Sequence, residues 1–386
     1  MLYFSTNSPT SGGSPDAVWV IPIAIIFQCI GMTLSPFVQS KIGLSKTMLF
    51  GSYLMSVSVY LSSYSKNLQQ FIVLYCVLFG TGIGMGYTSP LIAGWSWFPK
   101  NRGLISGIVL AGFGSGGFLF NILGTQFVNP NGLTQTAGLF PEEVYKNFPG
   151  MLRKLAGVYI AMQTVAALCL KSAPVSPASS VVNSQLSSSA ASAPKQRGAL
   201  SIAVNSKSFW LLWTCIVLSA TAGLNTASIY KMYGTKFPVI ANDKYLALVG
   251  GMGAIANGWG RMLWGAALDK LGFVKCFTIL TSVQSITMLL YKYTVNNRSL
   301  FTGSTMLLFF CLGGNFAMAP TACAKIFGAD APKVFGVLFS AFAVAGIGGA
   351  SLNRKLLAIY GYEPIFKIMA ALSLTASVGV WGLGNI

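Results

Sequence analysis

The 386-residue sequence predicts an all-α membrane protein of about eleven spanning helices arranged as two related halves, and three observations carry that expectation. The chain is 54% hydrophobic and only 8% charged, where an ordinary soluble domain is about a quarter charged. Its apolar runs are near 20 residues long, the length an α-helix needs to cross a ~30 Å hydrocarbon layer. A β-barrel would instead alternate over strands of ~10 residues. Short motifs also recur at a nearly constant distance. Ala111-Gly112-Phe113-Gly114 returns as Ala345-Gly346-Ile347-Gly348, 234 positions on (345 − 111), and Lys41-Ile42-Gly43 returns as Lys270-Leu271-Gly272, 229 positions on (270 − 41). Parallel repeats of this kind belong to membrane bundles related by an axis along the membrane normal.

Apolar segments are expected at 17–38, 47–65, 69–95, 104–124 and 150–170 in the first half, and at 208–230, 245–266, 274–291, 299–323, 334–353 and 364–384 in the second. The first 16 residues are rich in Ser, Thr, Gly and Pro without a basic start, so no cleavable signal peptide is visible. In the third segment, Gly80-Thr81-Gly82-Ile83-Gly84-Met85-Gly86-Tyr87 places glycine at every second position. Such spacing admits close helix packing or close approach of a solute, while Tyr87, a phenol at depth, calls for a polar partner or cavity. Trp97-Phe98-Pro99-Lys100-Asn101-Arg102-Gly103 ends that segment. Pro99 punctuates it, and Lys100 and Arg102 hold the turn on the positive side of the membrane. Residues 125–149 read as a polar loop, with the solvated pair Glu142 and Glu143. Residues 172–206, a Ser/Ala/Pro tract, read as a flexible linker. The chain therefore divides into an N-terminal half (1–171), the linker (172–206) and a C-terminal half (207–386).

The formal net charge of +18 comes from 25 Lys and Arg against seven acids. The cations sit mostly in connecting loops, which makes them topology signals and contacts for the lipid bilayer. Without a basic stripe carrying interleaved aromatics, nucleic acid is not an expected partner. The sequence has no histidine, so His-based proton relays, triads and metal sites are excluded. Its seven cysteines form no C-x-x-C, so neither zinc site nor disulfide framework is indicated. With no phosphate loop and no carboxylate pair in a plausible cleft, an enzyme is the least supported class, and no cofactor or metal is expected. Turns near 41–46, 100–102, 171–207, 270–275 and 325–333 are expected on the cytosolic or equivalent face.

One charge remains to be explained. In Asn257-Gly258-Trp259-Gly260-Arg261, running on to Asp269-Lys270-Leu271-Gly272, Arg261 stands eight residues before Asp269. At ~1.5 Å per residue that is ~12 Å, so an interfacial Asp269 puts Arg261 near mid-membrane. A cation there is a functional-site hypothesis by default. A guanidinium can hold a carboxylate through two hydrogen bonds, or it can snorkel back toward the interface. Asn257, four residues earlier, shares its helix face. Asn225 and Asn315 are further polar candidates, either as cavity groups or as helix–helix hydrogen bonds.

Trp97-Phe98-Pro99-Lys100-Asn101-Arg102-Gly103 through Gly114, Asn257 through Gly272, Phe209-Trp210-Leu211-Leu212-Trp213 and Gly313-Gly314-Asn315-Phe316-Ala317-Met318-Ala319-Pro320 together resemble the oxalate/formate antiporter-like branch of the major facilitator superfamily, close to the monocarboxylate transporters. The resemblance implies twelve helices in two six-helix bundles and a secondary transporter of a small carboxylate anion, with alternating access to a central site. The eleven segments then match the second to twelfth helices. Arg261 matches the arginine that binds the substrate carboxylate in oxalate carriers, while the lysine those carriers use in the eleventh helix is replaced by Phe342. Phe113, Leu312 and Phe316 match aromatic or cavity-lining positions. Asp269, Lys270 and Gly272, with Arg102, Gly103 and Pro99 opposite, match the conformational motif. The acid usual after the second helix is replaced by Ser40, so only one latch is expected.

All seven acids fall in loops or at segment ends, which favours exchange or facilitated flux over proton symport. The more apolar pocket favours a monocarboxylate over oxalate. The resemblance also implies a first helix ahead of residue 17, expected from another membrane subunit or from further sequence. The alternative to transport is a transport-inactive subunit with a structural role in a larger membrane complex.

Overall fold

The computed structural model describes residues 20–131, 133, 141–171 and 199–384. The chain is all-α over these residues, with no strand among them. In chain order the helices are α1 (Val20–Ile42), α2 (Leu44–Ser62), α3 (Leu68–Trp97), α4 (Arg102–Val128), α5 (Glu142–Cys169), α6 (Ala199–Val204), α7 (Lys207–Gly234), α8 (Asp243–Leu271), α9 (Phe273–Leu290), α10 (Arg298–Phe327), α11 (Ala331–Tyr360) and α12 (Tyr362–Gly379). Eight of the eleven long helices are apolar enough to cross a membrane by length and composition alone. The molecule is a multi-pass membrane protein.

The expected segments recur with two differences. Of the expected polar loop 125–149, residues 125–128 are the last turn of α4 and residues 142–149 the first turns of α5. Glu142 and Glu143 lie in its first turn, where negative charge meets the positive end of the helix dipole. Glu142 pairs with Lys146 at 3.0 Å on an exposed surface, as a solvated pair should. The end of the expected linker is ordered as α6, while residues 172–198 lie outside the described residues, as do Met1–Trp19.

Glycines decide how closely the helices approach. A methyl group at Gly80 or Gly84 would meet the backbone of α1, and one at Gly82 the backbone of α2. The alternating glycines of α3 are therefore mainly packing residues. The two halves meet along α1 against α11 and α4 against α8. The α4–α8 contact is backbone to backbone, because Gly103 lies on Gly265, Gly107 on Arg261 and Gly114 on Gly258. The related turns adopt one conformation, φ 86°, ψ 167° at Gly43 and φ 82°, ψ 166° at Gly272, a region open to glycine. The turns assigned to one membrane face also gather at one end of the bundle. Ser45 donates to the Leu170 carbonyl at 2.7 Å, Trp97 to that of Lys171 at 2.8 Å, and Gly103 to Asp269 at 2.9 Å.

Candidate functional site

Arg261 lies midway along α8, packed between α4 and α10, and only 3% of its surface is exposed. Its Nε donates to Asn257 Oδ1 at 3.1 Å, one helical turn back, and its Nη1 donates to the Leu110 carbonyl of α4 at 3.0 Å. Asn257 Nδ2 in turn donates to the Phe309 carbonyl at 3.1 Å, which fixes the amide that orients the guanidinium. Two rings lie near the cation. The guanidinium carbon is 4.7 Å from the centroid of Phe316 and 5.2 Å from that of Phe113. Cation–π attraction is strongest in such desolvated settings. The side chain does not snorkel toward Asp269.

A cavity of about 320 Å³ opens beside Arg261, at the lower end of the range for small-molecule sites. Tyr87, Phe113, Phe316, Phe339 and Phe342 supply its aromatic walls, and Gln28 of α1 is a further polar lining residue. Phe342 stacks on Phe316 with centroids 4.4 Å apart and planes at 11°. Tyr87 packs against Phe335 and Phe339 at 6.2 and 5.6 Å. Among the described lining residues Arg261 is the one charged side chain, and none is acidic. The cavity reaches Val20 and Tyr75, near the ends of α1 and α3 remote from Asp269.

The opposite end is shut. Asp269 accepts from Gly103 N at 2.9 Å and from Leu104 N at 2.8 Å, one oxygen to each. It thus caps the N-terminus of α4 from across the interface between the halves, where the helix dipole favours a carboxylate. Arg102 begins α4, Pro99 lies in the turn before it, and Lys270 and Gly272 close α8. A second tie lies close by. Ser106 Oγ of α4 receives Trp95 Nε1 at 2.9 Å and Thr321 Oγ1 of α10 at 3.1 Å. At the related turn after α1, the Ser40 hydroxyl donates to the Phe37 carbonyl of its own helix at 2.8 Å.

The sequence-derived candidates divide clearly. Arg261, Tyr87, Phe113, Phe316 and Phe342 line one cavity, and Asn257 supports it from behind. Leu312 is buried against Gly223 of α7. Asn225 hydrogen-bonds Asn353 of α11, a helix–helix contact, while Asn315 donates its amide to the Cys311 carbonyl of its own helix and leaves its buried Oδ1 without a hydrogen-bond partner. Gln28 and Phe339 escaped sequence reading. A lone amide in an apolar run was a usable signal for Gln28, and the three-residue spacing from Phe342 was one for Phe339.

An apolar chamber beside the one buried cation among the described residues, shut at one end between two helical bundles, is the geometry of a membrane transporter. The comparisons agree. The chain is 28% identical to apicoplast pyruvate carrier 1 of Toxoplasma gondii, over 99% of this chain and 77% of that protein. It is 24% identical to the oxalate:formate antiporter of Oxalobacter formigenes, over 78% of this chain and 66% of that one. The fold is that of the fucose:proton symporter of Escherichia coli (TM-score 0.70, 12% identity, 95% and 90% covered) and of a proton:xylose symporter (TM-score 0.71, 13% identity, 99% and 89% covered). No protein-family model matches the chain. The chain has the major facilitator superfamily fold, and the proteins it is similar to are transporters rather than enzymes.

Proposed function

We propose that this transporter carries a small monocarboxylate, of which pyruvate is the simplest candidate, by exchange or facilitated flux, and that Arg261 binds the carboxylate. The observation that carries the reading is one buried guanidinium in an otherwise apolar chamber. A guanidinium has five N–H donors, and its bonds to Asn257 and Leu110 use two of them. A monoanion neutralises it, while Phe316, Phe339 and Phe342 accept a short apolar tail. A dicarboxylate would leave its second charge among rings, at a desolvation cost that no second cation offsets. The names of the pyruvate carrier and the oxalate:formate antiporter support the carboxylate class.

In this reading residues 1–171 and 207–386 rock as two bodies about the site. The Asp269 cap and the Ser106 tie hold the end shut that must open for release. Arg261, bonded to Leu110 across the interface, senses both bodies. The test is pyruvate binding and flux in proteoliposomes. Arg261→Ala should lose binding by at least ~100-fold, as for removal of a charge-assisted bidentate contact. Unchanged binding would move the site elsewhere.

A further inference from the structure

The repeat that relates the two halves also pairs residues along α1 and α8. The turns after these helices share one backbone conformation, at Gly43 and Gly272, 229 positions apart (272 − 43). At that offset Met32 is the counterpart of Arg261 (261 − 229), and Gln28 is that of Asn257 (257 − 229). Met32 is fully buried in the apolar core, so α1 brings no cation to the chamber. It brings the amide alone.

The two amides are used differently. Asn257 accepts from Arg261 and donates to the Phe309 carbonyl, which makes it a support for the guanidinium. Gln28 has no cation one turn on, and its side-chain amide makes no hydrogen bond among the described residues. Half-buried, it lines the chamber with Val20, Ala24 and Ile25 of the same helix. Counted back from the shared turn, Gln28 stands at the depth of Asn257, one helical turn or ~6 Å nearer the mouth than Arg261. The two tyrosines of the lining are placed otherwise. Tyr75 stacks between Phe71 and Phe79 at the mouth, and Tyr87 packs on Phe335 and Phe339 near the latch end of α11.

This placement selects the substrate atom that meets the Gln28 amide. A carboxylate on Arg261 has the closed latch behind it, so carbon 2 of the acid points toward the mouth, where Gln28 stands. An oxygen on carbon 2 that met only rings would give up its water without replacement. An oxygenated acid would then bind worse than its hydrocarbon analogue. An amide reverses that sign. Its NH2 group donates to a 2-oxo oxygen, and its carbonyl accepts from a 2-hydroxyl.

We propose that Gln28 reads the oxygen on carbon 2 and so makes the carrier selective for short 2-oxo and 2-hydroxy monocarboxylates over unsubstituted ones. The inference rests on the carboxylate reading of Arg261 and adds to it a specificity determinant contributed by the opposite half. A 2-oxygenated acid then bridges α1 and α8, whereas an unsubstituted acid holds α8 alone.

The test compares matched acids by calorimetric titration of the purified chain near neutral pH, where all are ionised. The pairs are pyruvate or lactate against propionate, and 2-oxobutyrate against butyrate. The parent should bind each oxygenated acid ~10-fold tighter than its plain partner, the scale of one hydrogen bond in a desolvated site. In Gln28→Leu the ratio should fall to one or below, since the oxygen is then buried unpaired. Gln28→Met, unbranched like the native side chain, gives the same readout if leucine disturbs packing, and a thermal melt checks both. Equal affinities in the parent, a ratio that survives in both variants, or a ratio lost in Tyr87→Phe instead would overturn the proposal. Each of those results leaves the carboxylate reading standing, because the acids still bind. A parent that binds none of these acids would sink the carboxylate reading itself and this inference with it.

Discussion

At the residue scale the site turns on a division of labour between charge and shape. Arg261 supplies charge, and Asn257 and the Leu110 carbonyl hold its planar group within cation–π distance of Phe113 and Phe316. Lysine keeps the charge but has neither the planar fork nor the stacking surface. Arg261→Lys should therefore weaken pyruvate binding by ~10-fold or more, about 1.4 kcal/mol. Calorimetric titration of the purified variant checks it, and an unchanged affinity would mean that the cation acts only as a point charge. Asn257→Ala removes the partner of Nε while leaving the charge. It should cost less, a few-fold in affinity, at the ~1 kcal/mol scale of one hydrogen bond.

At the scale of elements, α4 and α8 form the seam across which the proposed rocking would act. Their contact is built of glycine on backbone, and it ends in a carboxylate holding two amide hydrogens of the partner helix. Replacing the charge in Asp269→Asn should weaken that closure by about 1.5–3 kcal/mol, the range for hydrogen bonds to a charged group. The molecule then populates the form open at the latch end. A cysteine in place of the half-buried Leu104 should be labelled faster by an aqueous maleimide in an Asp269→Asn background than with Asp269 intact; equal rates would show that the cap is not a latch. Gly107→Leu acts on the same seam by bulk, because any side chain there meets the Arg261 backbone. The expected outcome is loss of flux with retained folding, read by proteoliposome uptake beside a thermal melt.

At the scale of the whole molecule, the proposed exchange mode rests on the cavity lining, which carries no acid among the described residues. A proton-coupled carrier needs a titratable group where substrate and proton meet. Glu363, by contrast, is held at the surface by Lys292 at 2.7 Å and Lys367 at 3.0 Å. Uptake of labelled pyruvate into proteoliposomes should be stimulated by pyruvate inside and unmoved by an imposed pH gradient. Strong pH-driven accumulation would contradict the exchange mode.

The spans of the eleven long helices, the repeat and the candidate cation could all be read from the chain. The start of α5 was misread because Glu142, Lys146 and Pro149 are polar or helix-breaking in isolation, yet an acid-rich first turn suits a helix N-terminus. The roles of Asn225, Asn315 and Leu312 were not legible, since a sequence does not reveal which face of a helix meets a neighbour and which meets a cavity. By itself, the sequence determined that the chain is a twofold-repeated helical membrane bundle with a cation in its interior, because hydropathy and spacing are properties of local sequence. Only the tertiary structure decided that Arg261 turns into a chamber rather than toward the interface and that Asp269 closes one end. Those facts depend on which glycine meets which backbone across helices distant in sequence.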